Sequence, residues 1–264
     1  MDIQNLSRRR FLLAGGASVS LAALISACGG ESKSGIARVG LAPDPAELPE
    51  APVTDVALLR TATSLEYNAL FVYDAAKDAG LLSGDAAKLA TRFRADHKEH
   101  ADATASLTEA AGGKSFNEPN PRLQSLYVEP ALGLITKSDD PATDVVALAY
   151  ALETLAAATY QFYVPMLVDK SLRSAAMGIG GEEARHAATL GSVLNSTRLV
   201  SSHGLAVDAE WREEGEPSLF YAVPSAFGTL APVQVTLGPA DSRTTVNLET
   251  PSLNSMVYEY LDGE

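Results

Sequence analysis

The chain has 264 residues, 46% of them hydrophobic and only 6% aromatic, which is enough apolar material for one sizeable core with a smaller appendage. Its formal net charge of -13 opposes association with nucleic acid or anionic lipid headgroups, so nucleic-acid binding is excluded. The single cysteine rules out a disulfide within one molecule and any cysteine-rich metal site.

Residues 1–28 read as an export segment. Ser7-Arg8-Arg9-Arg10-Phe11-Leu12 resembles the twin-arginine motif, and the apolar run from Phe11 to Ala27 is interrupted by Gly15 and Gly16. That run is short for a membrane span. It ends Leu24-Ile25-Ser26-Ala27-Cys28, which resembles a bacterial lipobox with Cys28 as the lipidated residue. This pattern implies passage through the twin-arginine translocation machinery and a lipid anchor in the membrane, with the folded part in the cell envelope outside the cytoplasm. Residues 29–52 mix Gly, Ser and Pro without apolar periodicity and read as a flexible tether.

From Thr54 or Asp55 a helical pattern begins and runs to about Gly80. Stepping ~100° per residue places Leu59, Ala62, Ala69, Leu70 and Tyr73 on one face, with Glu66 at its middle. A second helix spans about Asp85 to Ala111 and is stopped by Gly112-Gly113. His97 and His100 fall inside its apolar face, Glu99 points away, and Asp96 lies at the border at a poor angle. Residues 114–140 are too long for a tight turn and read as a crossover with a short helix near Leu123 to Leu132. Asp139 or Asp140 caps a third long helix with Pro141 in its first turn, and Pro165 kinks or ends it. Around Glu153 its face holds Val145, Val146, Ala149, Ala156, Ala157, Tyr160 and Val164. The fourth helix covers about Ser171 to Leu194. There Glu183 and His186, three apart, point into the stripe of Leu172, Ala176, Ile179, Ala187, Leu190 and Leu194. Gly178, Gly180 and Gly181 before them mark either close approach of a neighbouring helix or a local break. Beyond residue 198, Val233, Val235 and Leu237 alternate with polar residues, Gly238 to Ser242 form a turn, and Val246 and Leu248 resume the alternation. This is a hairpin signal in an appendage, residues 198–264, expected to pack on the helices. The tail PSLNSMVYEYLDGE carries no assignable period.

Burying Glu66, His97, His100, Glu153, Glu183 and His186 on apolar faces costs several kcal/mol unless each finds a partner. Those faces offer almost no Lys or Arg, so a metal ion is the natural partner. The first and third helices also echo each other, Leu65-Glu66 with Tyr73 and Leu152-Glu153 with Tyr160, as an internal duplication would produce.

These residues resemble the ferritin-like superfamily, whose four-helix bundles hold two metal ions with Glu from two helices and Glu-x-x-His from the other two. The resemblance covers residues 54–195 and is closest to exported bacterial ferritin-like domain proteins, through 93-FRADHKEH-100 and 179-IGGEEARHA-187. It implies an all-α ferritin-like bundle over residues 53–197 with a long crossover and a small β-hairpin-containing appendage. It further implies a di-metal centre of iron or manganese, with zinc compatible with the same nitrogen and oxygen donors, acting in an oxidase or a peroxide-handling protein. Tyr73 and Tyr160 resemble the tyrosines near such centres. His97 departs from the pattern by standing where a bridging glutamate is expected, which leaves three carboxylates against three imidazoles. The alternative is a metal-free surface scaffold whose buried Glu and His, such as Glu153 with His97, satisfy each other. The sequence sets no oligomeric state.

Overall fold

The computed structural model describes residues 53–198, 233–249, 251 and 255–262. The expectations for the export segment, Cys28 and the tether fall outside these residues. Helix α1 (Asp55–Asp78) starts at Thr54, whose hydroxyl accepts a hydrogen bond from Ala57 N at 3.2 Å, with Asp55 in its first turn and Lys77 in its last, as the helix dipole favours. Helix α2 (Gly84–Ala110) follows the turn at Gly80, where φ of +64° suits glycine. The two pack along each other.

The crossover carries more helix than its prolines suggest. Asn120 caps α3 (Pro121–Leu123), a π-helical turn follows (Gln124–Val128), and α4 (Glu129–Ile135) completes it. Helix α5 (Pro141–Tyr163) is capped by Asp140, which accepts from Thr143 N at 3.1 Å, and Pro165 lies in a 3-10 turn (Val164–Met166) that ends it. Helix α6 (Lys170–Arg198) pairs with α5, so two helix pairs face each other as the duplication suggests. Helix α5 is apolar enough to cross a membrane by length and composition, yet 72% of that window is buried inside the bundle. It is the core helix.

Helix α6 runs through Gly178, Gly180 and Gly181 without a break. Close approach explains one of them: a Cβ on Gly180 would lie 2.6 Å from Tyr160 Cβ, whereas Gly178 and Gly181 face open space. Gly180→Ala is therefore expected to push α6 from α5 and cost about 1–3 kcal/mol, read as a lower denaturation midpoint, with no comparable loss for Gly181→Ala.

Strands β1 (Gln234–Leu237) and β2 (Thr244–Asn247) pair antiparallel with Val235 opposite Val246. Val235, Leu237, Val246 and Leu248 are buried in the same apolar cluster as Tyr127, Ala131 and Leu148, so the hairpin shares the core of α5 and the crossover. Buried Asp144 fixes it by accepting from Gly238 N at 2.9 Å and from Arg243 Nη2 at 2.8 Å. The tail is ordered by α1. Arg60, 0% exposed, donates from Nε to Val257 O at 3.0 Å and from Nη2 to Asp262 Oδ1 at 2.5 Å, and Val257 N donates to Thr61 Oγ1 at 2.9 Å.

A second apolar cluster, with Leu58, Ala62, Tyr160, Tyr163, Leu172, Ile179 and Met256, fills the other end of the bundle. Along α1 and α6 the two clusters are separated by one polar layer, which Glu153 of α5 enters from between Ala151 and Leu155. That layer is the site.

Candidate metal centre

Each long helix delivers its charged groups to this layer by the same means. The side chain sits on the core-facing stripe, and the neighbouring positions on that stripe are apolar. Glu66 from α1, His97 and His100 from α2, Glu153 from α5, and Glu183 and His186 from α6 are all buried, none more than 6% exposed. His97 lies between the two single carboxylates, with Nδ1 2.8 Å from Glu66 Oε2 and Nε2 3.0 Å from Glu153 Oε1. His100 Nδ1 is 2.7 Å from Glu183 Oε1. Tyr73 donates to Glu153 Oε1 and Tyr160 to Glu66 Oε1, each at 2.6 Å. The tyrosines thus cross between the helix pairs, each from one repeat onto the glutamate of the other.

Three atoms in this layer are buried without a hydrogen bond among the described residues: Glu153 Oε2, Glu183 Oε2 and His186 Nδ1. They face one another, His186 Nδ1 standing 3.4 Å from Glu153 Oε2 and 3.6 Å from Glu183 Oε2. Unsatisfied buried donors and acceptors cost about 1–3 kcal/mol apiece, more when charged. Convergence of three of them on one space offers a cation a ready set of donors. Two groups of potential ligands result, Glu66–His97–His100–Glu183 and His97–Glu153–Glu183–His186, and in each the donor atoms lie within 4.8 Å of one another. That spread suits bonds of about 2.0–2.2 Å to a common ion. Glu183 spans the two groups, Oε1 toward His100 and Oε2 toward His186. A neutral imidazole has one free lone pair, so His97 can serve one group only.

Asp96 is a correction to the helical-angle reading. Only 4% exposed, its Oδ2 lies 3.3 Å from His186 Nε2, because the imidazole reaches across from α6 to meet it. Glu182 does the same in the opposite direction, with Oε2 3.3 Å from His100 Nε2. Both histidines therefore turn Nδ1 to the centre and Nε2 to a carboxylate, the arrangement that fixes tautomer and ring orientation in metal-bound histidine. The sequence signal was available: Asp96 precedes His97 and Glu182 precedes Glu183, at matching places in the two repeats. Phe93 adds a third restraint by stacking on His186, ring centroids 3.9 Å apart.

The profile of the ferritin-like domain matches residues 54–196. The chain belongs to the ferritin-like domain family. No similar curated protein and no similar solved structure is found. Within the ferritin-like domain, the buried Glu and His cluster is compatible with metal binding.

The electrostatics separate the three glutamates. Burial pushes Glu66 upward, but the His100 and His97 imidazoles outweigh it and hold the carboxyl at about 2. Burial also works against Glu153, and the positive charge of His97 brings it well below the ordinary carboxylate range. Glu183 goes the other way: burial, then the charges of Glu66 and Glu153, raise it to about 7. His97 is pushed well up by Glu153 and Glu183 in spite of its burial, His100 to about 10 by Glu183 and Glu66, and His186 to about 9 by Glu153 and Glu183. Without a cation, protons and His97 carry the compensating charge.

Proposed function

We propose that the protein is an exported, lipid-anchored ferritin-like protein that binds two metal ions, iron or manganese, and acts on a small oxidant as an oxidase or peroxide-handling protein. The reading is carried by one observation: the unsatisfied Glu153 Oε2, Glu183 Oε2 and His186 Nδ1 converge in the buried layer. Glu66, His100 and Glu183 Oε1 would hold one ion, and Glu153, His186 and Glu183 Oε2 the other, with His97 completing one of the two sets. Bound iron or manganese supplies one-electron redox chemistry, which zinc does not. The chain's own residues prepare for it. Tyr160 and Tyr73 each occupy one oxygen of Glu66 and Glu153, which leaves the second oxygen aimed inward. Asp96 and Glu182 hold the outer nitrogens of His186 and His100. The flanking apolar clusters exclude bulk water, which strengthens each of these interactions.

A cavity of about 50 Å³ adjoins Glu66, Glu153, His97, Tyr73 and Tyr160, walled by Leu65, Val72, Val128, Leu152, Leu155 and Leu248. Its size suits a molecule of a few atoms rather than an organic substrate. Lipid anchoring through Cys28 and twin-arginine export rest on the motifs Ser7 to Leu12 and Leu24 to Cys28.

The scaffold reading has one observation in its favour, since His97 is bonded directly to both Glu66 and Glu153. Elemental analysis separates the two. Protein purified without chelator from cells supplied with iron, manganese and zinc is expected to carry near two equivalents of iron or manganese, lost in Glu66→Ala/Glu153→Ala. A well-folded sample that takes up no metal even on reconstitution would leave the scaffold.

A further inference from the structure

The centre is sealed along the bundle axis by the two apolar clusters, but between α2 and α6 the groups leading outward are polar. Arg92 on α2, with its side chain 67% exposed, reaches Asp96 from two nitrogens, Nη2 to Oδ1 at 2.6 Å and Nε to Oδ2 at 3.0 Å. Glu182 on α6 has its side chain 37% exposed. Beneath them lies His186, 4% exposed, with one nitrogen facing Asp96 and the other facing Glu153 and Glu183. Its Nδ1 is buried without a hydrogen bond among the described residues, and its Nε2 stands 3.3 Å from Asp96 Oδ2. Asp96, Glu182 and His186 each present a donor atom within 4.8 Å of the other two.

We infer that Asp96, Glu182 and His186 form an outer transit site for a divalent cation on its way to the buried centre, with the Arg92 guanidinium as the group the cation displaces. The inference rests on the metal-centre reading. His186 belongs to both sets, and the geometry gives each nitrogen one of them. Nε2 meets the ion on the outside and Nδ1 holds it inside, so the ion passes from one edge of a fixed ring to the other. Arg92 supplies positive charge beside the buried Asp96, and its own side chain is 67% exposed, so it can swing out to solvent as a cation takes its place. The ligand class is a divalent transition ion, because the set combines one imidazole with two carboxylates. Asp96 then has two successive duties. It receives the arriving ion, and afterwards accepts the Nε2 proton of His186 once Nδ1 is committed to the centre.

Cobalt(II) uptake by the metal-free protein, followed by stopped-flow absorbance and closed by elemental analysis, tests this. Arg92→Gln removes the competing charge and is expected to speed uptake about tenfold, with an end-point at least equal to the parent's. Glu182→Gln is expected to slow it by a similar factor. Parent-like rates in both variants, with cobalt still bound at the centre, would overturn the transit site and leave the centre standing. No cobalt bound by the parent protein would overturn both.

Discussion

Metal-free Glu66→Ala is expected to unfold about 3–5 kcal/mol more readily than the parent, whereas Glu183→Gln, which should lose the metal equally, is expected to match or exceed the parent. The difference follows from what surrounds each carboxylate. Glu66 is fully ionised, and its removal strands His97 Nδ1 and the Tyr160 hydroxyl in a buried layer. Glu183 is buried between Glu66 and Glu153, and its raised value of about 7 reports the burial first and then their repulsion. A neutral amide relieves the repulsion and still offers an oxygen to His100. Urea unfolding in chelator, paired with metal analysis of unchelated samples, reads both effects. Equal destabilisation by the two substitutions would mean that Glu183 serves the metal-free fold, contrary to its assignment as the bridge.

Raising the pH from 5 to 9 is expected to lower the melting temperature of the metal-free protein while increasing the stabilisation conferred by metal. For His186 and His100 the folded values, about 9 and about 10, exceed the ordinary 6.5, so their contribution is complete below about 6.5 and disappears as pH rises through 9 and 10. Glu183 adds to the trend. Between its unfolded value of 4.5 and its folded value of about 7 the native state holds the extra proton, and that advantage is gone above 7. Glu66, held at about 2, stabilises the fold above 4.5 and fails only as pH falls through 2, well outside this range. Metal ligation needs the same imidazoles neutral, so affinity rises with pH as proton-linked stability falls. Each kcal/mol shows as about 2–4 °C in a domain of this size. Scanning calorimetry with and without manganese across this range would show the two curves diverging. Parallel curves would mean that the histidines do not exchange protons for metal.

Much of the site could be read from angles on single helices. Glu66, Glu153 and Glu183 each interrupt an apolar stripe of period 3.6, and the second helix places His97 and His100 on one face. What escaped depended on partners from other helices. Asp96 looks peripheral on α2 alone and is buried only because His186 comes over from α6. Glu182 reads as a surface residue until His100 is seen behind it. The glycine run left two options open, and a single contact, Gly180 against Tyr160, accounts for the residue that matters. The hairpin was legible because alternation is a local signal. The tail was not, because Arg60 and Thr61 hold it largely through the backbone of Val257, and backbone bonds leave no side-chain pattern. The π-helical turn in the crossover likewise has no period of its own to betray it.

The grip of Arg60 on Asp262 joins positions 202 apart, and Asn120 holds Ser255 O across 135. Neither bond can form before residues 255–262 have emerged from the ribosome. Helix pairing can begin earlier in synthesis, but Met256 and Tyr258 join the cluster of Leu58 and Tyr163 only once they have emerged. Closing loops of that length comes late and slowly. The bundle is thus completed after its four long helices have been made, by a segment synthesised later.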